Sequence, residues 1–276
     1  MLLILFYRAL FGVFTSLIIG FFAYLTKQLT RSGTIALIFI GVLLTTIGSW
    51  PTWVLIVLFF LSSGGIHLVK KQLFPQIGDS IAEKGATRDA KQVLANSFPA
   101  LISLVFYFST ANELFLIGYA AGIAGAASDT WASEIGVLSP SSPRSILTLK
   151  KLPPGTSGGI TILGTVASFS ASFLLSVSFW LLISITSGFS LVSFSYFLVP
   201  FFSGALASIF DSLLGAGLQA RYECSVCHQW TEKTMHHGKQ TTLIKGLRFL
   251  DNDWVNLISG FLTVVTSWGL YFFIHP

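Results

Sequence analysis

The stretch Gly122–Gly136, GIAGAASDTWASEIG, decides how this chain is read. It places a carboxylate, Asp129, near the end of an otherwise lipid-soluble segment. A basic loop rich in proline and glycine, KKLPPGTSGG at Lys150–Gly159, follows it. On a helix, positions three, four and seven away from Asp129 share its face. Those positions are Gly122, Gly125, Ala126, Ala132, Ser133 and Gly136, all of them small. Small residues line close helix contacts in membranes, so Asp129 is expected to face a packed helix or a crevice and not lipid.

Composition supports the same setting. Of 276 residues, 53% are hydrophobic and only 10% charged. Soluble domains carry about 25% charged residues, so the chain reads as an integral membrane protein. Its net charge of +5 is spread over loops, with no basic run suited to nucleic acid. The opening MLLILFYRALFGVFTSLIIGFFAYLT has no basic residue ahead of its apolar run and no clear small-residue cleavage site, so it reads as a retained first span.

Spans of about 20 apolar residues cross a bilayer. On that rule helices are expected near 3–25, 33–49, 52–69, 93–110, 114–136, 159–184, 190–216 and 254–274. The fold class is an all-α polytopic membrane protein with about eight transmembrane helices in one domain, 1–276. It divides into an N-terminal three-helix part, 1–69, and a motif-bearing part, 70–276, with long loops at 70–92, 137–158 and 217–253. Basic residues follow helices one, three, five and seven: Lys27 and Arg31; Lys70, Lys71, Lys84, Arg88 and Lys91; Arg144, Lys150 and Lys151; Arg221, Lys233, Lys239, Lys245 and Arg248. The connections at Trp50–Pro51, Thr110–Glu113 and Ser187–Gly188 carry none. The positive-inside rule then favours both termini outside, the long loops and the polar motifs in the cytoplasm, and a plasma-membrane location. Arg8, inside the first span, is expected to snorkel toward the outer headgroups.

Several polar patches lie on the basic side. In KGATRDAKQVLAN, Lys84–Asn96, a helix would place Arg88, Asp89, Gln92 and Asn96 along one stripe. The stripe reads either as a solvated interfacial turn or as an anion-binding face descending into the membrane. An ionisable residue in a span is a functional hypothesis by default, against which stands an acid that snorkels or pairs with a loop lysine. Asp129 meets the functional description; Glu134 lies on another face, nearer water.

The glycine loop Gly155–Thr156–Ser157–Gly158–Gly159 follows Lys150 and Lys151. Glycines let consecutive N–H groups converge on an anion, and a helix N-terminus adds its own donors. The plainer reading is a flexible loop, since no Walker A pattern is present. The segment SGALASIFDSLLGAGLQ, Ser203–Gln219, echoes the first: Gly204 precedes Asp211 by the interval that separates Gly122 from Asp129. Two acids on like-directed helices can hold Mg²⁺, which takes one or two carboxylates and completes its shell with phosphate and water.

Asp251–Asn256, DNDWVN, puts Asn252, Asp253 and Asn256 on one face; a helix cap is the competing reading. Cys224 and Cys227 form a CxxC pair, followed by His228, His236 and His237. Two cysteines in one loop exclude a disulfide framework and pose a metal or redox question. Thiolates with imidazoles suit structural Zn²⁺ on Cys224, Cys227, His236 and His237, although adjacent histidines rarely both reach one ion. A reduced CxxC loop is the alternative.

Taken in order, KGATRDAKQVLAN, SDTWASEIG, KKLPPGTSGGIT, FDSLLGAGLQ and NDWVN resemble the membrane family that includes plant phytyl-phosphate kinase. The acid-bearing helix followed by a Lys-then-glycine loop is also similar to the CTP-dependent dolichol and phytol kinases. The resemblance implies transfer of a phosphoryl group from a nucleoside triphosphate, by analogy CTP, to an isoprenyl monophosphate. Its motifs carry over Arg88, Asp129, Lys151 and Asp211, to which we assign the catalytic roles. Phosphate or nucleotide contacts would come from Lys84, Asp89, Gln92, Asn96, Ser133, Glu134, Gly155, Thr156, Ser157, Gly158, Gly159, Asn252 and Asn256. On our reading Asp129, Asp211 and Asp253 would hold the Mg²⁺. The CxxC loop departs from the plant members, which points to an accessory role. A transporter of a small anionic or lipid substrate and a CTP-dependent lipid cytidylyltransferase are the competing classes.

Overall fold

The structure is a computed structural model that describes residues 2–74, 87–188 and 192–275. Its helices are α1 (Leu2–Leu25), α2 (Arg31–Ile47), α3 (Trp50–Leu73), α4 (Ala90–Thr110), α5 (Glu113–Gly136), α6 (Ile162–Ser187), α7 (Ser195–Gly217) and α8 (Asn252–Ile274). Each expected span is found, with ends displaced for local reasons. α4 begins at Ala90 because Asp89 and Gln92 form a capping box. The Asp89 carboxylate accepts the Gln92 N–H at 3.0 Å, and the Gln92 side-chain oxygen accepts the Asp89 N–H at 3.1 Å. α6 begins at Ile162, past the glycines, because the Thr161 hydroxyl accepts the Gly164 N–H at 3.0 Å.

α5 is the axis of the bundle, packed by α3, α4, α6, α7 and α8. Its residues from Gly118 to Gly125 are all buried. Six of the helices are long and apolar enough to cross a membrane; α2 is shorter, at 17 residues. At 1.5 Å per residue α2 still reaches ~26 Å, close to the hydrocarbon thickness. α5 falls short of the same hydropathy because its Gly, Ala and Ser residues meet protein instead of lipid. A Cβ added at Gly125 would stand 2.9 Å from the Ala207 methyl on α7, and one at Gly204 would stand 2.9 Å from that of Ala124. Larger residues would drive α5 and α7 apart. The apolar core beside this seam includes Leu44, Leu55, Leu104, Ile117, Ile123 and Phe179, and the Tyr119 hydroxyl donates to the Thr52 carbonyl at 2.7 Å.

Arg8 finds a protein partner as well as a membrane edge: its guanidinium donates to the Gly48 carbonyl at 3.3 Å, at the end of α2. A cation there suits the negative end of the helix dipole.

The connections after α1, α5 and α7, with residues 87–89 ahead of α4, lie at the opposite end. Arg88 N–H donates to Gln28 O at 2.9 Å, and Thr30 N–H to Arg88 O at 3.0 Å. Strands β1 (Arg144–Ser145) and β2 (Gly159–Ile160) pair antiparallel across the glycine loop. The loop expected at 217–253 folds into a small β unit. β3 (Arg221–Glu223) lies between β4 (Trp230–Thr231) and β7 (Thr242–Lys245), while β5 (Met235–His236) pairs with β6 (Lys239–Gln240).

Candidate functional site

The α5–α7 seam sets the level of the two acids. Gly125 meets Ala207, and one helical turn further on in both parallel helices stand Asp129 and Asp211. The two carboxylates are electrostatic neighbours, and Glu232 also acts on Asp211. The second oxygen of Asp211 is buried with no hydrogen-bond partner among the described residues. A carboxylate oxygen buried in that way, beside a second acid, has the chemistry of a cation ligand. Thr263 of α8 also reaches the Gly125 contact. From there α8 runs back toward the loops, so Ser259, Asn256 and Asn252 follow along the same side. Asp251 caps α8, accepting the Trp254 N–H at 3.1 Å, so the capping role falls there; Asp253 is buried in the first turn. Asp129, Asp211 and Asp253 do not converge as a three-donor cluster among the described residues.

Arg88 is the cation beside Asp129. Its backbone is fixed by the bridge to Leu29, and Thr87 donates to Lys27 O at 2.8 Å. Its charge acts on Glu134 and Asp129, and its side chain also lines a cavity between α1, α2, α3 and α4. That cavity is walled by apolar residues such as Ile40, Leu44, Ile56 and Phe59; Arg88, Gln92 and Asn96 are its polar end. Asp89 is committed to the capping box, and Gln92 shares in it through its oxygen. Asn96 donates to the Gln92 carbonyl at 2.9 Å. Lys84 lies outside the described residues.

Glu134 is more firmly held than its sequence position suggested. It forms an ion pair with Lys70 of α3 and stands 3.4 Å from His67 Nδ1, with Arg88 in electrostatic range. Ser133, by contrast, is exposed and donates to the Thr130 carbonyl at 3.0 Å. His67 escaped the sequence reading, although the rule that singled out Asp129, an ionisable group within a span, applies to it equally.

The glycine loop folds tightly. Gly155 and Gly158 adopt φ of 80° and 78°, values open to glycine at little steric cost. Gly158 lies against the backbone of Ala216 at the end of α7, where a Cβ would collide. Thr156 is buried; its N–H and the Gly159 N–H are used within the loop, at 3.3 and 3.1 Å. Fewer loop donors therefore remain for an anion than the glycine pattern suggested. Lys150 and Lys151 are exposed. Ser157 donates to the carboxylate of Glu232, and Arg221 donates to the Ser157 carbonyl at 3.1 Å. Burial lowers Arg221 from the usual guanidinium range, opposed by Glu232. Arg221 and Glu232 were not found from sequence, because nothing in their spacing separates them from other loop charges.

In the β unit, Cys224, Cys227 and His236 converge, with donor atoms all within 4.8 Å of one another. His237 is left out of the cluster, with φ of 52° in the turn beyond His236. Backbone N–H groups, that of Cys227 first, bring the Cys224 thiol down to about 6.

Among the described residues, packed apolar helices with acids, an arginine and a glycine loop gathered toward one end define an integral membrane protein. The chain belongs to the DUF92 family of integral membrane proteins, whose model matches residues 14–264. Protein PGR of Arabidopsis thaliana is 32% identical over 289 residues, covering 95% of this chain and 96% of the relative. An uncharacterised membrane protein of Methanocaldococcus jannaschii is 38% identical over 132 residues, 47% of this chain and 50% of that protein. Protein VTE6, chloroplastic, of Arabidopsis thaliana is 24% identical over 241 residues, 85% of this chain and 63% of the relative. These matches bear out the family resemblance read from the motifs. No solved structure matches the chain.

Proposed function

We propose that this protein is a prenyl-monophosphate kinase. It transfers the terminal phosphoryl group of a nucleoside triphosphate, CTP being the expected donor, to a phytyl- or geranylgeranyl-like monophosphate. The observation that carries the reading is the position of Arg88. It links an apolar cavity among α1–α4 to Asp129 of α5, itself the electrostatic neighbour of Asp211 on α7. A lipid tail suits the cavity, and its phosphate suits the guanidinium, which binds phosphate through paired donors.

A phosphate monoester is already largely ionised at neutral pH, so its oxygen attacks without a strong base. The new P–O bond forms as the bond to the leaving nucleoside diphosphate breaks, and the products are that diphosphate and the prenyl diphosphate. Such transfers depend mainly on positioning and charge stabilisation. Asp129 and Asp211 are the residues suited to hold Mg²⁺, with Asp253 nearer the loop end. The buried, unpartnered oxygen of Asp211 supports that fit. When bound, Mg²⁺ would neutralise donor phosphate charge. Arg88 orients the acceptor, with Gln92 and Asn96 beside it. Lys151, Ser157 and the remaining glycine-loop N–H groups border the donor side, and Asn252 and Asn256 close it from α8. The basic loops orient this end toward the cytoplasm, where nucleotides are available, and the membrane is the plasma membrane.

The test is purified protein supplied with a panel of prenyl monophosphates and with CTP, ATP or UTP, following lipid diphosphate formation. Arg88→Lys should raise the KM for the lipid far more than that for the nucleotide. No lipid diphosphate across the panel would overturn the kinase reading, and release of inorganic diphosphate would replace it with a cytidylyl transfer. Orientation is read by a membrane-impermeant amine reagent, mapped at the exposed Lys150 and Lys151, which should label inverted vesicles and spare right-side-out ones.

A further inference from the structure

The β unit that follows α7 contains three convergent soft or borderline ligands that the proposed phosphoryl transfer does not use. Cys224 directly follows β3 and is buried; Cys227 comes next in a tight turn in which His228 N–H donates to Cys224 O at 2.9 Å and Cys224 N–H to Gln229 O at 3.0 Å. The Val226 N–H points at the Cys224 sulfur, 3.4 Å away. That donor stabilises negative charge on the sulfur, and a metal-binding cysteine ligates as its thiolate. His236 arrives from a different element, the β5–β6 hairpin, with its Nδ1 at 3.6 Å from the Cys227 sulfur. All three donor atoms fall within 4.8 Å of one another.

The hairpin explains why one histidine takes part and its neighbour does not. His237 and Gly238 occupy the two-residue turn with φ of 52° and 71°, the pattern of a type I′ hairpin. His236 stays in the strand and faces the cysteines, while His237 is carried round the turn. A CxxC turn and a histidine hairpin, brought together from separate strands, form a site of the kind zinc occupies: two thiolates, one imidazole and a tetrahedral position left for water.

We infer that Cys224, Cys227 and His236 bind one Zn²⁺, with water as fourth ligand, and that the ion pins the β unit over the glycine loop. The segment between the two halves of the site, 228–235, carries Trp230, which packs under Arg221 at 5.2 Å, and Glu232, which accepts the Ser157 hydroxyl. An ion joining Cys227 to His236 closes this segment into a loop fixed at both ends. Glu232 and Arg221 are thereby held against Ser157. This inference stands apart from the kinase reading, because its readouts are metal content and loop protection.

The experiment uses the full chain in detergent, purified through a tag that binds no metal. Elemental analysis should find about one zinc per chain, as a folded structural site retains its ion. Adding Co²⁺ to the chelator-stripped protein should give thiolate-to-cobalt charge-transfer absorption. Cys227→Ser and His236→Ala should each lose the zinc, and His237→Ala should keep it. Metal removal should raise amide exchange across Arg221–Lys245 while the helices stay protected. If a cysteine variant does not fold, the cobalt spectrum of the unsubstituted protein decides alone. The inference is overturned by a metal-free protein that gives no cobalt–thiolate band, by a Cys224–Cys227 disulfide in freshly purified protein, by a different resident metal, or by loss of zinc in His237→Ala.

Discussion

Asp211→Asn is the perturbation with the most to say about the acid pair. In the metal-free protein Asp211 holds a buried oxygen with no hydrogen-bond partner among the described residues, and both Asp129 and Glu232 oppose its charge. An unsatisfied buried polar group costs about 1–3 kcal/mol, and more when charged. The amide keeps the shape and stays polar, but it removes the charge that those two carboxylates oppose, so it should relieve about 1–3 kcal/mol. With about 2–4 °C per kcal/mol for chains of 150–250 residues, the metal-free melting temperature should rise by about 2–12 °C. Binding should change in the opposite sense. A ligand at a hundred times its dissociation constant stabilises by about 2.7 kcal/mol, and the variant should forfeit most of the gain that Mg²⁺ and CTP together give the parent. Tryptophan fluorescence during thermal unfolding in detergent measures both quantities in one experiment. A variant that melts below its parent without metal, yet responds undiminished to Mg²⁺ and nucleotide, would refute the reasoning.

Further outcomes follow from neighbouring contacts. Asp129→Asn should abolish lipid diphosphate formation while leaving expression and the helical circular dichroism intact; full turnover would remove Asp129 from the metal site. Lys70→Met strips the mostly buried Glu134 of its ammonium partner and should destabilise by about 3 kcal/mol. Adding Glu134→Gln should recover part of that loss, and equal additive losses in a double-mutant cycle would deny the coupling. Gly204→Val drives a branched side chain into Ala124 and should cost about 1–3 kcal/mol by overpacking, with Gly204→Ala milder; an unchanged melting temperature would mean that α5 and α7 are not in contact there. Val57→Trp, which adds bulk to the cavity wall, should raise the KM for a long prenyl phosphate more than for a short one, and leave the KM for CTP as it was.

The kinase reading also gives the N-terminal helices a task. Motifs are absent before Lys84 in the sequence, and α1–α3 read there only as spans. With α2 packed against α4, they line the apolar cavity whose polar end is Arg88, so chain-length selectivity would belong to residues with no motif at all.

What the sequence determined by itself was whatever repeats locally. The helices follow from runs of apolar residues, and the loop-bearing end follows from the alternation of basic connections. The small face of Asp129 follows from helical periodicity, and the structure packs its Gly122 and Gly125 against Ala100, Ala207 and Thr263 while leaving Ser133 exposed. The Gly–Asp echo in α7 pointed to a parallel helix before its packing was known. Tertiary structure decided the rest, because those contacts join residues far apart in the chain. The level of Asp129 with Asp211 depends on glycine-to-alanine approaches between α5 and α7. Arg88 is aimed by backbone pairing with the α1–α2 turn. Glu134 is claimed by His67 and Lys70, Ser157 by Glu232 and Arg221, and His237 is turned away from a cysteine pair that its neighbour faces. Hydropathy reports how well each segment tolerates lipid. It carries no record of which polar groups meet once the segments are packed.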